Sequence, residues 1–300
     1  MRLFSGLSDY EGKARSDIDA DGILDWGVFK ENRFRPNGDQ IPNEVSIIRD
    51  KGDVFLGTTS PEYCIIQNKA TLDFCDLFVA QGNAGYKHVI SLNKGEQIHI
   101  ILKAPNFADL GGGDIIDSYF DIVTSHDGSQ KFRAIPIVFR RYNGSIMPAP
   151  SGKGISIKHT KNATSNLMLA RLVIGKVKAY FEEVPTNFEK FAKMKLDANA
   201  TEEYFKVLYG GDNQRAENIR DRMMAICKGG KSASTFINCQ GTLLGAYFAA
   251  VEYAEFNMVI KASKHMDDLS TKIHSRLVGS AAKLKTEAYW TALKLARDFA

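Results

Sequence analysis

The chain has only four cysteines in 300 residues, Cys64, Cys75, Cys227 and Cys239, and no two stand in the C-x-x-C spacing of a zinc or thiol redox site. In a cytosolic chain such cysteines are expected to be reduced and buried. Long apolar runs are also missing. The N-terminus, MRLFSGLSDYEGKARSD, lacks the hydrophobic stretch of a secretory signal. The most apolar window, GTLLGAYFAAVEYAEFNMVI (241–260), carries Glu252 and Glu255. Two carboxylates at that depth are costly in lipid, so the window reads as a buried helix. The expected location is the cytoplasm, with no membrane partner.

Catalytic signatures are scarce. Neither G-x-S-x-G nor H-x-x-x-H occurs. SGKG (151–154) has Met147 where a phosphate loop needs its first glycine and Gly154 where it needs Ser or Thr. DIDADGILD (17–25) follows a calcium loop for nine positions, but the bidentate Glu expected at position twelve is Val28. Asp114, Asp117, Asp121 and Asp127 could hold a divalent metal in a nuclease. The expectation is nonetheless a protein that is not an enzyme, with no catalytic residue, no metal and no cofactor.

A further absence is more informative. Residues 128–181 hold ten Lys or Arg and no Asp or Glu, in a chain of 39 basic and 35 acidic residues. Residues 1–150 carry a net charge of −4 and residues 151–300 carry +8. Such asymmetry points to a surface meant for an anion, and nucleic acid is the commonest large one.

What is present divides by period. VSIIRD (45–50) and DVFLGTTS (53–60) flank Lys51-Gly52 as a hairpin. KHVISLN (87–93) pairs with QIHIILKAP (97–105), and YFDIVTS (119–125) with QKFRAIPIVFRR (130–141) across His126-Asp127-Gly128-Ser129. A helix is expected over 68–81 and a short strand over 154–160. From Ser165 the 3.6-residue period takes over: helices are expected over 165–184 and, after Pro185, near 187–196, 201–209, 215–227, 241–260 and 264–299. The fold class is α+β, an antiparallel sheet with hairpins and packed helices (1–184) followed by a helical region (185–300).

Strand alternation over 130–141 puts Lys131 and Arg133 at one end and Arg140 and Arg141 at the other. The following loop adds Lys153, and KHTK adds Lys158, His159 and Lys161. The next helix adds Arg171, Lys176 and Lys178. Converging in space, these cations would form a groove of positive potential for a phosphate backbone, with Tyr142 stacking on a base. The competing reading is a set of solvated faces whose partner carboxylates come from elsewhere in the fold.

Several stretches are also familiar together: LDW (24–26), IIRDKGDVFLGTTSPEYCIIQN (47–68), NAGYKHVISL (83–92), GGDIIDSYFDIVTSHDGS (112–129) and SIKHTKN (156–162). GTLLGAYFAAVEYAEF (241–256) and RLVGSAAKLKTEAYWTALKLA (276–296) follow in the same order. Together they resemble the phage/plasmid-like proteins of domain-of-unknown-function family 932. IVFRRYNGSIMPA (137–149) departs from the Val-Cys-Gln-Asn-Thr-Leu-like segment usual there. The resemblance implies a bacteriophage or mobile-element setting and a distant likeness to single-strand annealing recombinases. Those proteins combine a sheet-and-helix core, a basic groove, no ATP site and ring or filament assemblies. The implied function is single-stranded DNA binding that promotes ATP-independent strand annealing by a homo-oligomer. The alternative is a structural or host-interaction (anti-defence) protein with a basic protein-binding face.

Overall fold

In a computed structural model, residues 7–298 are described except 83, 112, 150–153, 164–173 and 230–238. A short helix α1 (Arg15–Ala20) precedes a three-stranded antiparallel sheet, β1 (Val28–Phe34), β2 (Gln40–Arg49) and β3 (Val54–Thr59), in that spatial order. The expected β2–β3 hairpin turns at Gly52 and Asp53, both with positive φ. Helix α2 (Asn68–Ala80) follows and buries Leu72, Phe74, Cys75 and Phe78.

The larger sheet is built from β4 (Gly85–Leu92), β5 (Gln97–Asp109), β6 (Ile115–Ser125), β7 (Phe132–Arg140), β8 (Ile146–Pro148) and β9 (Ile155–Ile157). All its pairings are antiparallel. The β4–β5 and β6–β7 hairpins match the sequence expectation. Two short strands share one side of β7: β8 pairs with Ile137–Phe139 and β9 with Phe132–Ala134. Pro136 falls at the gap between them, where its carbonyl accepts from Ala149 N at 2.7 Å. A strand residue points its N–H and C=O to the same side, so the missing proline N–H costs no ladder bond there.

The helical part comprises α3 (Ile174–Lys193), α4 (Ala198–Leu208), α5 (Gln214–Cys227), α6 (Leu243–Glu252), a π turn (Tyr253–Asn257), α7 (Asp268–Leu277) and α8 (Ser280–Asp298). Asp197, Asn213, Thr242 and Asp267 cap α4 to α7 by accepting a backbone N–H three residues on. Two expectations need correction. The helix expected to end at Pro185 runs through it to Lys193, held by the buried Val184, Phe188 and Phe191. The helix expected over 264–299 is two, broken at Val278-Gly279.

Helices cover both faces of the larger sheet. On one, Phe120 and Phe132 meet Phe74 and Phe78 of α2 and Phe181 of α3. On the other, Ile101, Tyr119, Ile137 and Ile146 meet Ile273 and Leu277 of α7. The apolar window holds the buried helix α6, but the helix gives way to the π turn at Tyr253 and the window's end is not buried, with Val259 exposed. The Glu255 carboxylate in the π turn accepts from Lys285 at 2.8 Å, both fully buried. Among the described residues no helix is long and apolar enough to cross a membrane. All four cysteines are free, three of them buried.

Candidate nucleic-acid interface

Among the described side chains, the cations of the acid-free stretch fall into two groups at opposite ends of β7, about 23 Å apart at ~3.3 Å per residue. At the C-terminal end Arg140 is only 1% exposed. Its Nε donates to both Asp114 carboxylate oxygens at 2.9 Å and its Nη2 to Oδ2 at 2.6 Å. The guanidinium also lies 4.1 Å from the Phe248 ring centroid of α6. A group so enclosed cannot reach a phosphate, so Arg140 belongs to the fold and not to a groove. Arg141, beside it, forms a two-pronged pair with Asp117 (2.6 and 2.7 Å), which raises its pKa further. Tyr142 is half-exposed at the same end. The partner carboxylates come from residues 114 and 117, outside the acid-free stretch, as the competing reading anticipated for this end.

At the N-terminal end the cations have no carboxylate partner among the described residues. The β7–β9 ladder ends at Phe132 and Ile157, which brings the next residues, Lys131 and Lys158, together at its open end. Both are exposed, as is Lys161, and none has an ion pair among the described residues. Like charges side by side repel unless an anion joins them. Arg133 is half-buried. Its Nη2 donates to Gln130 Oε1 at 2.6 Å, and its Nε has no partner among the described residues. Burial presses its pKa down, opposed by the charge of Asp121.

Lys131 and Arg133 line a cleft of about 680 Å³ between this end of the sheet and α8. Ile135, Pro148 and Leu277 supply an apolar lining. From α8 come Lys283, Glu287 and Trp290, at the i, i+4, i+7 spacing that aligns side chains along one helix face. Trp290 is 41% exposed, a large aromatic surface left open beside three cations. Lys283 and Trp290 escaped the sequence reading. The KLKTEAYW spacing was visible, but not which sheet edge it would face. Lys153 and Arg171 lie outside the described residues.

Next to the cleft, across the β6–β7 turn, sits a second cavity of about 390 Å³. TTSPEY (58–63), SHDGS (125–129) and KHT (158–160), three of the stretches that carried the family resemblance, meet there. Gly57 allows the close approach: a Cβ on it would lie 2.9 Å from Asp127 Cα. His159 is not a surface cation but is 8% exposed, and burial lowers its pKa. Its Nδ1 donates to the Cys64 carbonyl at 3.0 Å, and its ring stacks on Tyr63.

A family model, DUF932, a domain of unknown function, matches residues 55–275. The chain belongs to the DUF932 family. No curated protein and no solved structure matches it. The DUF932 match runs from β3 through α7. It therefore includes the whole lining of the second cavity, whereas Lys283 and Trp290 on α8 lie beyond it.

The carboxylates considered for a metal are dispersed. Asp114 and Asp117 serve Arg140 and Arg141, Asp121 accepts from His99 Nδ1 at 2.9 Å, and Asp127 accepts from Ser129 N and Oγ. In the calcium-like stretch, Asp17 accepts from the Ala14 amide, Asp19 pairs with Arg15, and Asp21 accepts from the Tyr10 hydroxyl. Among the described residues no three His, Cys, Asp or Glu side chains form a metal-binding group.

Proposed function

We propose that this chain is a phage- or mobile-element-encoded protein of the bacterial cytoplasm. It binds single-stranded nucleic acid in the cleft between β7 and α8 and promotes strand annealing without ATP. The observation that carries the reading is the convergence of Lys131, Arg133 and Lys283, none of them paired to a carboxylate among the described residues, around the half-exposed Trp290. Phosphates settle on the cations with release of condensed counterions, and a base stacks on the indole, worth about 1–3 kcal/mol. Lys158 and Lys161 extend the positive track toward the second cavity. No bond is made or broken: a strand held mainly by its backbone keeps most base edges free to test complements. Neighbouring copies in a ring or filament would continue the track. The distant likeness to single-strand annealing recombinases belongs to this proposal.

Fluorescence anisotropy of a labelled oligonucleotide, titrated at several salt concentrations, tests it. The logarithm of affinity should fall by about 0.7 per phosphate contact for each decade of salt, giving a slope of roughly −2 for the three cleft cations. Mass photometry with and without the oligonucleotide reads the assembly. A second reading, a structural or host-interaction protein, is favoured by one feature. Phe29 and Phe55 are half-exposed on either side of Ile48 in a cross-strand row of the smaller sheet. It predicts weak, salt-insensitive nucleic-acid binding and a defined complex with an acidic protein.

A further inference from the structure

We infer that the second cavity, formed by the end of β3, the β6–β7 turn and His159, is a nucleobase pocket. It accepts the exocyclic amino group of one base from the strand in the neighbouring cleft. The inference rests on the proposed strand binding and adds a base preference to it.

The lining decides the chemistry. Its described lining has no lysine or arginine but includes Asp127 and Glu62, so the cavity repels phosphate and takes a neutral or donor-bearing group. With Nδ1 of His159 committed to the Cys64 carbonyl, Nε2 is the ring atom left for the cavity. It is buried and has no partner among the described residues. Burial lowers the His159 pKa, so near pH 7 the ring is neutral and Nε2 is a bare acceptor. Thr59 Oγ1, also in the lining, is a second buried atom without a partner there. Buried polar atoms left unsatisfied are costly, and both belong to residues that line this one cavity.

Asp127 is held as an acceptor by a polarised chain of hydrogen bonds. His274 Nδ1 on α7 donates to Gln97 Oε1 (2.8 Å), Gln97 Nε2 donates to Ser129 Oγ (2.9 Å), and Ser129 Oγ donates to Asp127 Oδ1 (2.7 Å). Every donor in that chain points toward the carboxylate, and Ser129 occupies Oδ1 and not Oδ2 of this lining residue. Acceptors His159 Nε2 and Asp127 Oδ2, with the Thr59 hydroxyl, match a base edge that presents an N–H₂ group. A carboxylate accepting from cytosine N4 is such a pairing, whereas thymine offers a carbonyl at the equivalent position. The volume, about 390 Å³, is at the small end of ligand pockets. The cavity shares the 127–131 turn with the cleft, so a base can enter it while its phosphate meets Lys131 or Lys158.

The test compares oligo(dC) and oligo(dT) of equal length on the full chain at pH 7.5. Oligo(dC) is expected to bind at least about fivefold tighter, the low end of what one well-made base contact provides. Asp127→Asn keeps an acceptor for Ser129 but turns the second oxygen into a donor, so the preference should vanish or reverse. Its melting temperature reports whether the fold is intact. Independently of any variant, the ¹⁵N resonance of His159 Nε2 should move with oligo(dC) and not with oligo(dT). Equal binding of both oligonucleotides with an unmoved His159 resonance overturns the pocket and leaves the cleft standing. Binding of neither overturns both.

Discussion

His159 lies against Tyr63, ring centroids 4.8 Å apart and planes 13° from parallel. Tyr63 in turn donates its hydroxyl to the Ser125 carbonyl at 2.6 Å, so the stack ties the segment after β9 to the end of β6. The smaller sheet reaches the same point through Gly57. Three separate parts of the chain thus build one cavity wall.

That closeness has a measurable cost when filled. Gly57→Ala places a methyl group against the Asp127 backbone, where only about 2.9 Å is open. Overpacking of this kind costs roughly 1–3 kcal/mol. Urea unfolding should show the loss, and any base preference should weaken with it. An unchanged unfolding midpoint would mean that β3 and the turn are not in contact.

The Arg140–Asp114 pair predicts an asymmetric stability effect. Asp114→Ala strands a buried guanidinium and should cost about 3–5 kcal/mol. Adding Arg140→Met, which removes the stranded charge, should recover much of it. Chemical denaturation of the wild type and both variants reads this directly. If Arg140 were a solvent-facing cation, Asp114→Ala would cost under about 1 kcal/mol.

Acid should unfold the protein from an unusually high pH. Burial depresses the pKa of His126 to about 3 from its ordinary 6.5, and it lowers those of His159, His88 and His274. Between those values the unfolded chain holds the proton that the folded chain refuses. For His126, stability is therefore full above pH ~6.5 and falls by up to about 1.4 kcal/mol per pH unit as pH drops toward ~3, and the lowered pKa values of the other three act in the same direction. His126 alone removes about 2 kcal/mol by pH 5. Urea midpoints at pH 7.5 and pH 5 measure the slope, and a flat profile would refute it.

The two ends of β7 should behave differently toward nucleic acid. Lys131→Glu reverses a charge in the cleft and should weaken oligonucleotide binding at least tenfold while flattening the salt dependence. Arg141→Glu, at the opposite end, should leave the affinity within about twofold and lower stability by placing two carboxylates side by side. Anisotropy titrations of both variants separate the two. Equal losses would restore a single groove along the strand.

Much of the fold was legible in the sequence because hairpins and amphipathic helices are local. Alternation around Lys51-Gly52, Lys94-Gly95-Glu96 and Asp127-Gly128 specified three hairpins, and Leu72, Cys75 and Phe78 specified α2. VFKENRF (28–34) does not alternate cleanly and its strand was missed, and a three-residue strand such as β8 has no period to read. Pro185 misled because packing of Val184 and Phe188 outweighs the lost backbone bond. The site was half legible. A stretch free of acid shows where cations are, not which will meet a carboxylate. Arg140 found Asp114, 26 residues away, and Lys131 found none. Lys283 and Trp290 join Lys131 only through the tertiary packing of α8, which local sequence does not encode.

The central claim is that the β7–α8 cleft holds a strand against Trp290. The chain has two tryptophans, and Trp26 is 7% exposed beneath Arg49, so a strand in the cleft changes the emission of Trp290. Titrating unlabelled single-stranded DNA should quench the fluorescence at low salt, reverse on adding salt, and leave the Trp290→Phe variant unaffected. Quenching that persists in that variant, or none at low salt, would contradict the account.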